Sequence, residues 1–97
     1  MLSAKQKKDY YDLGFIILKN QIPMDMILKL RDEISKIESK AKLLKESNDQ
    51  LDLEDSHTPS NPRIRRIKLP HTQSNFIREL MFSHYILEPV KSLIGPN

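Results

Sequence analysis

The chain has 97 residues, 38% hydrophobic and 30% charged, with sixteen Lys and Arg against thirteen Asp and Glu, a net charge of +3, and no cysteine. That length bounds one small domain of globular rather than disordered composition, and the absence of cysteine excludes a disulfide scaffold and any thiolate metal site. No apolar run approaches the roughly 20 residues needed to cross a bilayer, and the basic N-terminus leads into no apolar stretch, so a soluble, cytoplasmic protein is expected.

Charge is distributed unevenly. Residues 48–62 carry four acids and no base, whereas 63–97 carry six bases and two acids, with four of those bases at Arg63, Arg65, Arg66 and Lys68. Ser3 and Gln6 have capping-box spacing, which predicts a helix running to Asp12 or Leu13 and ending at Gly14. Phe15, Ile16, Ile17 and Leu18 form a short β-branched run that reads as a buried strand. A turn over 20–23 then brings Pro23 to a helix start.

The next helix is expected from Met24 to about Lys45. Ile27, Leu30, Ile34, Ile37, Ala41 and Leu44 fall on one stripe, and Asp32–Lys36 and Glu38–Lys42 are spaced as solvated ion pairs. The stripe is too short for a persuasive coiled coil and suits a helix lying on a sheet. Residues 47–62 read as a polar acidic loop, long enough to be functional or mobile. A strand is expected over 63–69, alternation placing Arg65, Ile67 and Leu69 on one face and Ile64, Arg66 and Lys68 on the other, with Pro70 closing it. Helices over 74–82 and from Ser83 or His84 to Ile94 follow. The second stops at Gly95-Pro96, and Pro89 must either sit in its first turn or kink it.

None of the three histidines forms a His-x-Asp or His-x-Glu pair: His57 precedes Thr58-Pro59, His71 precedes Thr72-Gln73, and His84 precedes Tyr85-Ile86. His57, in the acidic loop, reads as a solvated side chain. With only Gly14 and Gly95, the chain has no Gly-rich phosphate loop. No catalytic or metal-ligating residue is assigned.

Three landmarks in order carry a resemblance: Tyr11-Asp12-Leu13-Gly14-Phe15-Ile16-Ile17-Leu18-Lys19, the Pro-punctuated run from Ser56 to His71 that ends Arg65-Arg66-Ile67-Lys68-Leu69-Pro70-His71, and Leu93-Ile94-Gly95-Pro96-Asn97. Together they resemble the N-terminal part of the phytanoyl-CoA dioxygenase family, whose members are non-haem iron oxygenases using 2-oxoglutarate. The resemblance implies an α+β chain over residues 1–97: the N-terminal helices and first strands of a double-stranded β-helix (jelly-roll) oxygenase fold, incomplete. It implies that Lys68 contacts the 2-oxoglutarate carboxylate, that Arg66 lines the same cavity, and that the iron ligands fall beyond Asn97. Fe(II) and 2-oxoglutarate are therefore implied for a complete enzyme acting on a small-molecule substrate. Neither is expected to bind this chain stably by itself. A complementing C-terminal chain is a possible partner.

Two other readings stay open at this point. Arg63, Arg65, Arg66 and Lys68 suit a small basic protein contacting nucleic acid or an acidic partner. The acidic loop before them and the scarcity of nearby aromatics make nucleic acid the weaker choice. A helical interaction module over 24–45 is the other.

Overall fold

A computed structural model describes residues 2–96. The elements are α1 (Ala4–Leu13), α2 (Met24–Ser39) continued by a 3₁₀ turn (Lys40–Leu43), β1 (Leu51–Leu53), β2 (Ile64–Ile67), α3 (Pro70–Gln73), α4 (Asn75–Met81) and α5 (His84–Ile94). The result mixes helices with one two-stranded antiparallel sheet. Among the described residues, no helix is long and apolar enough to cross a membrane.

The ends of α1 follow from local chemistry. The Gln6 amide donates to Ser3 Oγ at 3.1 Å, and the Ser3 amide donates to Gln6 Oε1 at 2.8 Å, so two otherwise orphaned donors are satisfied reciprocally. Gly14 closes the helix with φ 84°, its amide donating to the Tyr10 carbonyl at 2.7 Å.

The expected stripe on α2 is one face, with burial concentrated at its C-terminal end. Ile37 and Ala41 are buried, while Ile27, Leu30, Ile34 and Leu44 are half-buried. The regular helix stops at Ser39 rather than reaching Lys45, tightening to a 3₁₀ turn where Ala41 is pressed into the core. Of the expected ion pairs on α2, Lys36 turns instead to Glu33, at 3.6 Å.

Two expectations about strands are corrected. Residues 15–18 are not in a sheet, and among the described residues none of their backbone groups makes a backbone hydrogen bond. The strand that does form lies at 51–53, inside the stretch read as a loop. Leu51 pairs with Ile67, Asp52 with Arg66, and Leu53 with Ile64, with a bulge between Asp52 and Leu53.

That bulge also overturns the simple alternation expected for 63–69. It lets Ile64 and Ile67, three positions apart, both pack on the core, while Arg65 and Arg66 are consecutive and exposed. The core itself is small: Ile37, Ala41, Leu51 and Leu53, with Leu44, Ile64, Ile67 and Ile77 packed against it. The strand ends at Ile67, not Leu69. Leu69 adopts a left-handed conformation, φ 45°, and Pro70 opens the one-turn helix α3 instead of merely closing the strand.

α3 leads into α4, and α4 contacts both α2 and α5. Ser74 caps α4 by accepting from the Ile77 amide and donates to Glu33 on α2 at 3.2 Å. Pro89 lies inside α5, in its second turn, and cannot donate to the Tyr85 carbonyl. Gln21 Nε2 donates to that carbonyl instead, at 2.9 Å.

Candidate functional site

The basic run sits on the hairpin, where its charges meet acids from the stretch read as a loop. β1 brings Asp52 opposite Arg66, and its carboxylate is shared. Arg66 Nε donates to Oδ2 at 2.8 Å, the Arg66 terminal nitrogen also pairs with Oδ2, and Lys68 Nζ approaches Oδ1 at 3.0 Å. Lys68 Nζ donates as well to the Asn48 carbonyl at 2.8 Å. Glu54 takes Arg65 at 3.3 Å. The Lys68 and Arg66 hydrogen bonds, in that order of importance, hold the Asp52 carboxyl below its ordinary value of 3.8. The hydrogen bond that Arg65 donates to Glu54, and the charge of that carboxylate, raise Arg65 further above its already high value.

Asp49, Arg66, Ile67, Lys68 and Leu69 line an open depression of about 340 Å³. Arg66 and Lys68 bring two cations to its wall, set against the carboxylates of Asp49 and Asp52. Lys68 is mostly covered and reaches the depression from the end of β2, beyond which the backbone turns at Leu69. The two site residues implied by the resemblance, Lys68 and Arg66, are therefore brought together. Arg63 and Arg65 are not among the residues that line it, and Arg65 is engaged with Glu54.

His57 is buried rather than solvated, which corrects the reading of its loop. The turn Thr58-Pro59-Ser60-Asn61, closed by the Asn61 amide donating to the Thr58 carbonyl at 3.0 Å, folds the chain back at that point. The Arg63 amide then donates to His57 Nδ1 at 2.9 Å, and Nε2 lies 2.8 Å from the Leu44 carbonyl. Because Nδ1 accepts, Nε2 is the donor, and the ring ties the hairpin to the residue that follows the 3₁₀ turn. His71 lies in α3 and His84 at the start of α5, its ring 4.0 Å from that of Tyr85. Among the described residues, no three His, Asp or Glu side chains gather as a metal site would require.

Asp52, Asn48, Glu54 and His57 are the residues that sequence reasoning missed here. The available signal was charge complementarity, with four acids immediately preceding four bases. Leu51-Asp52-Leu53 also alternates like a short strand, although three residues are too few to stand out.

No protein-family model matches the chain, and no solved structure matches it. Over 94 residues, 97% of its length, the chain is 22% identical to a probable alpha-ketoglutarate-dependent hypophosphite dioxygenase of Stutzerimonas stutzeri, of which the match covers 33%. The chain thus spans about a third of the length of the curated relative it matches, and its sequence relationship is to a 2-oxoglutarate-dependent dioxygenase.

Proposed function

We propose that these 97 residues are the N-terminal part of an Fe(II)- and 2-oxoglutarate-dependent dioxygenase, of the phytanoyl-CoA dioxygenase type, with the helices and first strands of a jelly roll. The observation that carries this reading is the similarity across 94 residues to a third of an alpha-ketoglutarate-dependent dioxygenase. The small sheet and large exposed apolar area support it, since two strands rarely suffice for independent stability. The chain's residues do not fit an iron site: both ring nitrogens of His57 are engaged by backbone groups, and no third ligand joins any histidine among the described residues.

For 2-oxoglutarate the fit is partial and specific. Lys68 offers an ammonium beside a depression of about 340 Å³, with Arg66 alongside. An ammonium and a guanidinium side by side suit a dianionic acid. In the present arrangement Asp52 supplies the carboxylate that Lys68 meets, so 2-oxoglutarate would compete with a ligand already in place. The substrate of the complete enzyme is a small molecule; hypophosphite is what the relative acts on by name.

The nucleic-acid reading is the weaker one, because Arg65, Arg66 and Lys68 are each paired with an acid of the same hairpin. The test is succinate release from 2-oxoglutarate. The 97-residue chain should give none, and a polypeptide that adds the iron-binding portion should give it. In that complete enzyme Lys68→Ala should raise KM for 2-oxoglutarate by about tenfold or more, as expected for losing a charge-assisted hydrogen bond. Succinate formed by the 97 residues alone would defeat the proposal.

A further inference from the structure

Residues 15–18, Phe-Ile-Ile-Leu, are an apolar run outside any helix or strand, with no charge among them. Ile16 and Leu18 are half-buried, while Phe15 is 58% and Ile17 74% exposed, the period of two expected of a strand. Among the described residues, their amides and carbonyls make no hydrogen bond to backbone. Such a segment normally pairs or is guarded by charge, because it offers an open template for another strand. Two depressions border it, one lined by Gln6, Asp9, Leu13 and Phe15–Ile17, the other including Leu18, Asn20, Ile22 and Met24.

The scale of uncovered surface indicates what completes it. The accessible surface is 7455 Å². A folded monomer of this mass exposes about 5,800 Å², leaving roughly 1,700 Å² in excess. Covering it takes an interface of the obligate class, larger than the standard one of about 800 Å² on each partner. Two thirds of the relative's length has no counterpart here, a body large enough to supply such an interface.

We infer that residues 15–18 are a strand lacking its sheet, and that the neighbouring strand is supplied by polypeptide equivalent to the part of the dioxygenase outside the 94-residue match. This inference rests on the oxygenase reading above and adds the place at which the two parts join. Main-chain hydrogen bonds from 15–18 provide the join, and Phe15 and Ile17 become covered as it forms.

The test is to co-express the tagged 97-residue chain with the part of the Stutzerimonas stutzeri dioxygenase outside the match, purify through the tag, and follow amide exchange by residue. Amides of 15–18 should exchange freely in the chain alone and slow by about 100-fold or more in a one-to-one complex. Of Ile16→Pro and Ile17→Pro, at least the one whose amide faces the new strand should lower co-purification by about tenfold, and Ile17→Val should not. A complex that leaves 15–18 unprotected overturns the inference and spares the oxygenase reading. Failure of the two parts to associate counts against both. Protection of 15–18 in a dimer of the 97-residue chain overturns the choice of occupant.

Discussion

His57 shows how much a single side chain can join. Its ring links the Leu44 carbonyl, just past the 3₁₀ turn, to the Arg63 amide just before β2, and both backbone groups would lose their partner without it. His57→Ala should therefore lower stability by about 2 kcal/mol, since each unmet buried polar group costs about 1–3 kcal/mol; urea unfolding measures it. Asp52 sets a different dependence. Its folded carboxyl titrates below 3.8, so the contribution it makes is complete above that pH and is lost as pH falls through the lower folded value. Amide exchange in β1 and β2 should accelerate with acid in that window, and Asp52→Asn should remove this part of the acid response while slightly weakening the hairpin at neutral pH. The sequence displays Arg66 and Lys68 plainly, but their partner is set by strand register, which residue types alone do not specify.

At the scale of elements, α1 was legible to within a residue because Ser3, Gln6 and Gly14 act on groups at most four positions away. α4 and α5 were legible for the same reason. The hairpin was not. β1 is three residues long and acquires its identity only from Ile64, Arg66 and Ile67, more than ten positions later. Residues 15–18 have the composition of a strand and no backbone partner among the described residues, so local pattern and observed state part company there. Pro89 is a local break repaired at long range. Gln21 donates to the Tyr85 carbonyl that Pro89 leaves unserved. Gln21→Ala should cost about 1 kcal/mol, and in a Pro89→Ala background, where residue 89 regains its own amide, that cost should shrink toward zero. A double-mutant cycle read by thermal unfolding decides it; equal costs in both backgrounds would show that Gln21 acts elsewhere.

The whole molecule is extended, 50 × 27 × 24 Å with a radius of gyration of 17.0 Å, against about 12.5 Å for a compact domain of this length. The buried cluster lies where the 3₁₀ turn meets the hairpin, whereas Leu13, Phe15, Ile17, Met24, Leu43, Phe82 and Ile94 are all exposed. The isolated chain should bind ANS at neutral pH and melt over a broad range, with far-ultraviolet circular dichroism and tyrosine fluorescence giving different midpoints. A single sharp transition common to both probes would show that the exposed surface is tolerated in a cooperative fold. Tyr11 adds one more consequence. Its hydroxyl donates to the Leu93 carbonyl at 2.6 Å, across 82 positions of sequence. A contact of that span pays the closure entropy of nearly the entire chain before it returns anything, whereas the hairpin closes over a dozen or so residues. The order of assembly follows: the hairpin and the end of α2 come together early, and the first helix settles against the last only once everything between them has found its place.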